Sequence, residues 1–151
     1  MRIAVGADHA GFKRKARILA VLAKMGHEVR DAGCGSEESC DYPDYAARVA
    51  RDVSEGRADR GVLVCGTGIG MAMAANKFPG VRAAVCWNVR TAVLASEHNG
   101  ANVMCLSAKM LSQSLTERML LAWLKTPFAG GRHERRVGKI SDLERSCKPP
   151  K

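Results

Sequence analysis

The run Gly61-Val62-Leu63-Val64-Cys65-Gly66-Thr67-Gly68-Ile69-Gly70 delivers a thiol from the end of an apolar segment into a glycine-rich loop. Backbone N–H groups gathered in such a loop, and at the start of the helix it opens, stabilise negative charge and favour the thiolate of a nearby cysteine. Such a loop is a place to hold a reactive group beside an anion. Residue type alone does not single out Cys65, because free cysteine is usually a small buried hydrophobe. Gly66-Thr67-Gly68-Ile69-Gly70 has GxGxG spacing and lacks the GK[ST] of a P-loop. A nicotinamide site would place GxGxxG after the first strand, with an acid about twenty residues on. Here the first turn reads Asp8-His9-Ala10-Gly11. The loop suits one small oxyanion.

Three further groups are chemically suggestive. Asp8 and His9 follow the first apolar run, where Asp8 is equally an N-cap. His98 and Asn99 lie at the far end of a helix, and packing must bring them to any site. Imidazole titrates near neutral pH, although a helix C-terminus by itself also suits a histidine. Arg132 and Arg136 stand four apart, so in a helix they share a face and can grip one phosphate with forked, charge-assisted donors. His27 and His133 read as surface histidines.

The elements that must position these groups alternate strand and helix without linkers. Arg2 to Ala7 is a short strand, and the helix after it is expected to bury Phe12, Ala16, Leu19, Ala20 and Ala23 and to stop at Gly26. His27 to Asp31 makes the second strand. Pro43 opens a helix with Ala46, Val49, Ala50 and Val53 facing inward until Gly56. Val62 to Cys65 is the third strand, and the glycine loop starts a helix that runs to about Lys77. Val81 to Cys86, a helix from about Asn88 to the His98-Asn99-Gly100 turn, and Val103 to Leu106 follow. A helix near Ser112 to Lys125 and a basic helix from about Glu134 to Ser146 complete the pattern. Five apolar strands alternating with helices imply a parallel sheet covered on both faces, a three-layer α/β/α sandwich. Ligands of such sheets lie beyond the carboxyl ends of the strands, which is where Asp8, His9 and the Cys65 loop fall.

With 151 residues, 46% of them hydrophobic, the chain suits a single domain over 1–151 with its own core. No long uncharged apolar stretch suits a bilayer, and the first residues enter a strand pattern instead of a signal peptide's apolar core. A soluble, cytoplasmic protein is expected. Cys34, Cys40, Cys65, Cys86, Cys105 and Cys147 show no CxxC spacing, and the four histidines add no close ligand motif. Reduced thiols without a metal are therefore expected. The formal charge of +9 sits at the ends: residues 1–30 hold seven Lys/Arg against two acids, residues 130–151 seven against three, and the middle ten of each. Basic ends suit RNA or DNA, yet there is no recognition motif, and 5% aromatic content offers no base-stacking platform. Lys13, Arg14, Lys15 and Arg17 read instead as a solvated helix face, and Arg135, Lys139, Arg145, Lys148 and Lys151 as a solvated tail.

Five segments, in order along the chain, resemble the type B ribose-5-phosphate isomerases and the wider group that includes galactose-6-phosphate isomerase. They are Gly6-Ala7-Asp8-His9-Ala10-Gly11-Phe12, Asp41-Tyr42-Pro43-Asp44-Tyr45-Ala46, Cys65 to Gly70 with Ala74-Ala75-Asn76-Lys77, Glu97-His98-Asn99, and Gly131-Arg132-His133 with Arg136-Val137. The resemblance implies a Rossmann-like sheet of order 2-1-3-5-4 and a homodimer with active sites at the subunit interface, a tetramer of paired dimers being the larger assembly open to it. It implies cofactor-free interconversion of D-ribose 5-phosphate and D-ribulose 5-phosphate through an enediolate, in the non-oxidative branch of the pentose phosphate pathway. Cys65 would be the base and His98 the group that opens the furanose ring. Asp8, His9, Tyr42, Asn99 and the loop Gly66, Thr67, Gly68, Ile69 and Gly70 would bind substrate. Arg132 and Arg136 would anchor its phosphate, and the basic C-terminal helix (about 134–146) would pack on the partner.

Some positions depart from the family pattern. Lys109 stands where some relatives carry an arginine that supports substrate binding, and the two are not interchangeable at a bidentate site. It is therefore left out of the expected site. Met71 occupies the place where another branch puts a glutamate base, leaving Cys65 alone for that task near this loop. Gly100 follows His98-Asn99 where an acid is common, an exchange expected to loosen the turn. His98 favours the pentose, since galactose-6-phosphate isomerases usually lack it. The alternatives are a 6-phosphohexose (allose or galactose 6-phosphate) on the same machinery and, more distantly, a non-catalytic nucleotide- or RNA-binding domain using the basic ends.

Overall fold

Side chains along a strand alternate between the two faces of its sheet, and here the two sets are buried against different helices. In the computed structural model, which describes residues 1–147, the strands are β1 (Arg2–Ala7), β2 (Glu28–Asp31), β3 (Arg60–Cys65), β4 (Ala83–Val85) and β5 (Val103–Ser107). All are parallel, in the order β2-β1-β3-β5-β4. On one face Ile3, Val5, Val62, Val64, Met104 and Leu106 pack with residues of α1 (Phe12–Lys24), α4 (Val89–Glu97) and α5 (Gln113–Lys125). On the other, Ala4, Leu63, Cys65, Val103 and Cys105 pack under α2 (Tyr42–Ser54) and α3 (Ile69–Ala75). The expected three-layer sandwich, sheet and strand order are observed. Fully burying residues such as Ile3, Leu63 and Leu106 stabilises the fold by roughly 1.5–3 kcal/mol each.

The helix ends follow local chemistry. Pro43 stands in the first turn of α2; the Asn88 and Thr91 side chains and backbones cap each other at the start of α4; and the Ser112 hydroxyl accepts from Leu115 N–H at the start of α5. α2 buries Ala46, Val49 and Ala50 as expected, together with Asp52, which pairs with Arg30 and Arg57.

α1 differs from expectation. It buries Lys15, Ile18 and Leu22, whereas Ala16, Ala20 and Ala23 are exposed. The larger side chains remove more apolar area from water than the alanine stripe would. Two residues of the expected solvated face are structural. Lys15, 4% exposed, runs its stem inward and donates from Nζ to both Asp31 carboxylate oxygens at 2.9 Å and to the Cys34 carbonyl at 2.7 Å. Arg14 donates to the Ala108 and Leu111 carbonyls and to the Thr116 hydroxyl.

α6 (Arg132–Ser146) buries none of its residues. Ile140 and Leu143 face outward at 49% and 64% exposure. Lys148 and Lys151 of the expected basic tail lie outside the described residues.

Candidate active site

β1 and β3 are neighbours, yet the helix after β1 lies on one face of the sheet and the helix after β3 on the other. The chain therefore opens a crevice beyond their carboxyl ends. Asp8, His9 and the Cys65 loop line it.

Cys65 ends β3, 5% exposed, and its Sγ accepts a hydrogen bond from Gly68 N–H at 3.1 Å. Negative charge on sulfur strengthens that bond. Gly68 has φ +83, and a Cβ there would stand 3.1 Å from the Leu106 backbone, so only glycine makes this turn without strain. The Thr67 hydroxyl accepts from Ile69 N–H at 3.3 Å, and Ile69 is half exposed. Tyr42, at the start of α2, lies across the loop: a Cβ on Gly70 would meet its ring at 2.6 Å. The first turn of α3 thus sits beneath an aromatic ring.

Asp8 caps the turn His9–Gly11, accepting from Gly11 N–H at 3.1 Å. His9 Nδ1 lies 3.2 Å from Cys40 N–H and 3.3 Å from the Cys40 carbonyl, so the loop before α2 holds the ring whichever tautomer is present. Met71 is fully buried and cannot face a ligand. Burial pushes the Cys86 thiol up to about 11, and Cys105 well above the ordinary thiol value, with Cys86 and Cys65 adding to the effect. Neither can serve as a base near neutral pH. Among the described residues no group of three or more His, Cys, Asp or Glu side chains could hold a metal ion.

The remaining expected residues stand elsewhere. His98 caps the carboxyl end of α4 and so lies at the amino-terminal edge of the sheet. Cys65 pairs in register with Ser107, whereas the His98-Asn99 turn leads into Val103. Four strand residues, about 13 Å, separate the two levels. Arg82 holds the turn, its Nε donating to the Asn99 and Gly100 carbonyls at 3.2 and 3.0 Å and its Nη2 to Gly100 at 2.8 Å. These bonds tie Arg82 to the turn at Gly100.

α6 brings Arg132 and Arg136 to the same end, exposed and on one helical face. It also brings His133, whose ring stacks on His98 with centroids 4.1 Å apart and planes 10° from parallel. His133 therefore belongs to the His98 cluster and is not an isolated surface histidine. The clue was its place beside Arg132 in a matching segment. Lys109, left out of the expected site, packs beside the loop. Its N–H approaches the Gly66 carbonyl at 3.3 Å, and its ammonium would lie 4.0 Å from a Cβ on Gly66. The candidate residues of this chain thus fall into two clusters. One holds Asp8, His9, Tyr42, Cys65 to Gly70 and Lys109; the other holds His98, Asn99, Arg132, His133 and Arg136.

Comparison with known proteins settles the family. The Ribose/Galactose Isomerase family model matches residues 3–140. This chain belongs to that family. Over 143 residues it is 44% identical to ribose-5-phosphate isomerase B of Escherichia coli K12, covering 95% of this chain and 96% of that protein. The structure of the isomerase B of Clostridium thermocellum superposes with a TM-score of 0.96 at 45% identity, covering 98% of this chain and 100% of that one. The isomerase B of Mycoplasma genitalium, determined with bound ribulose-5-phosphate, gives a TM-score of 0.93 at 40% identity, covering 95% and 96%. The family match thus spans both clusters of candidate residues.

Proposed function

We propose that this chain interconverts D-ribose 5-phosphate and D-ribulose 5-phosphate, with Cys65 as the base. The observation that carries this reading is the Cys65 thiol held at the sheet's switch point by Gly68 N–H, in a family whose relatives bear that activity in their names. The Cys65 thiolate takes the proton from C2 of the open-chain aldose. The electron pair moves to form the C1–C2 double bond, and the aldehyde oxygen becomes the enediolate oxyanion held by the loop's N–H groups. The O2 proton passes to O1, and return of the carbon-bound proton from Cys65 to C1 leaves the carbonyl at C2, which is the ketose. His98 donates a proton to the ring oxygen when the furanose opens, a task suited to imidazole.

Arg132 and Arg136 hold the phosphate, and Asp8, His9, Tyr42 and Asn99 hold the sugar. Lys109, poised over Gly66, adds a point charge beside the oxyanion.

The working enzyme is a homodimer in which the Cys65 half of one copy meets the His98 half of the other. Supporting this, exposed apolar side chains border both halves: Ile69, Met73, Trp87 and Met110 near the first, Ile140 and Leu143 on α6 near the second. α6 packs on the second copy. Six free thiols fit a reducing compartment, the cytoplasm; no helix of the described residues is long and apolar enough to cross a membrane.

Conversion of ribose 5-phosphate should be measured for the unaltered protein and Cys65→Ala with EDTA present, and with allose and galactose 6-phosphates in parallel. The expected result is activity on the pentose that persists in the chelator and falls at least about a thousandfold without the thiol. Inactivity of the folded protein on all three sugars would overturn the proposal.

A further inference from the structure

We propose that Ser107 is a positioning residue that aims the Thr67 N–H at the developing enediolate oxyanion. This deepens the isomerase reading above and rests on it. Ser107 closes β5 in register with Cys65, and its side chain is 4% exposed. The hydroxyl accepts from Met110 N–H at 2.9 Å, so its one proton is directed to the Gly66 carbonyl at 2.7 Å. The same carbonyl receives Lys109 N–H at 3.3 Å, while the Cys65 carbonyl receives Ala108 N–H at 2.8 Å. The segment after β5 therefore clamps two successive carbonyls of the catalytic loop.

The clamp has a directional effect. In a planar trans peptide the carbonyl and the following N–H point in opposite directions. Pinning the Gly66 carbonyl toward β5 turns the Thr67 N–H away from β5, out of the sheet's edge and toward the exposed side of the loop. Thr67 is exposed, and its N–H has no acceptor among the described residues. An N–H fixed in advance costs no reorganisation when charge develops, which is what makes such donors effective in a transition state. Because the charge on the substrate oxygen grows only as the proton leaves C2, the effect falls on turnover more than on binding.

The test compares Ser107→Ala and Ser107→Thr with the unaltered protein, by steady-state kinetics on ribose 5-phosphate and by the amide resonance of Thr67. The expected result for the alanine variant is a kcat lower by about tenfold with KM changed less than about twofold. Its Thr67 amide should shift and exchange faster, and threonine, which keeps the hydroxyl, should restore both readouts. Unchanged kcat in Ser107→Ala, a loss confined to KM, or a Thr67 resonance unmoved by the substitution would each overturn the proposal. If threonine fails to fold, the kcat and KM split and the Thr67 resonance of the alanine variant decide it. An unaltered protein inactive on every sugar phosphate would instead count against the isomerase reading, and would remove the positioning role with it, whatever the Thr67 resonance does.

Discussion

The stacked imidazoles of His98 and His133 make a residue-scale prediction about pH. Burial, then the positive charges of His98, Arg132 and Arg136, hold His133 below the ordinary histidine value, against a small opposing effect of Glu97. The folded value lies below the ordinary one of about 6.5, so folding favours neutral His133. That contribution is present above pH about 6.5 and is lost as the pH falls through the folded value. An NMR titration should place the His133 midpoint below that of a free histidine, and His98→Asn should move it back up. A midpoint indifferent to His98 would mean that the stack does not couple the two rings.

At the scale of elements, α1 shows how a helix can present two apolar stripes and bury the less obvious one. Phe12, Ala16, Leu19, Ala20 and Ala23 make a longer stripe than Ile18 and Leu22, and Lys15 makes the second stripe look polar. Yet Lys15 reaches past its own apolar stem to Asp31 and the Cys34 carbonyl. Lys15→Ala should destabilise the fold by about 2 kcal/mol, read from the urea midpoint at unchanged m, because it strands a carbonyl that the ammonium now satisfies. A loss under about 0.5 kcal/mol would return Lys15 to the solvated face. The five strands and most helix bounds were legible because short apolar runs, glycine stops and caps are local signals. The Cys65 cluster was legible for the same reason, since a strand end and its loop are contiguous. The stacking of His133 on His98, and the hold of Arg82 on the Asn99 turn, join residues from different elements and leave no local pattern to read.

At the scale of the molecule, the separation of Cys65 from the His98 cluster is the central fact. β3 and β5 set Cys65 and the His98 turn at opposite edges of one sheet, about 13 Å apart along the strands. No side-chain motion within one chain brings an imidazole at one edge to a thiol at the other. The proposed two-fold dimer would join them without changing either cluster, each Cys65 facing the His98 of the partner copy. The direct measurement is subunit complementation. Cys65→Ala and His98→Asn are prepared separately, each expected to be nearly inactive on ribose 5-phosphate, then mixed in equal amounts under conditions that exchange subunits. If sites are shared, half the dimers are mixed and each carries one intact site, so activity should return to about a quarter of the unaltered protein's. A mixture that stays inactive after subunit exchange has been verified would contradict the shared site and the account built on it.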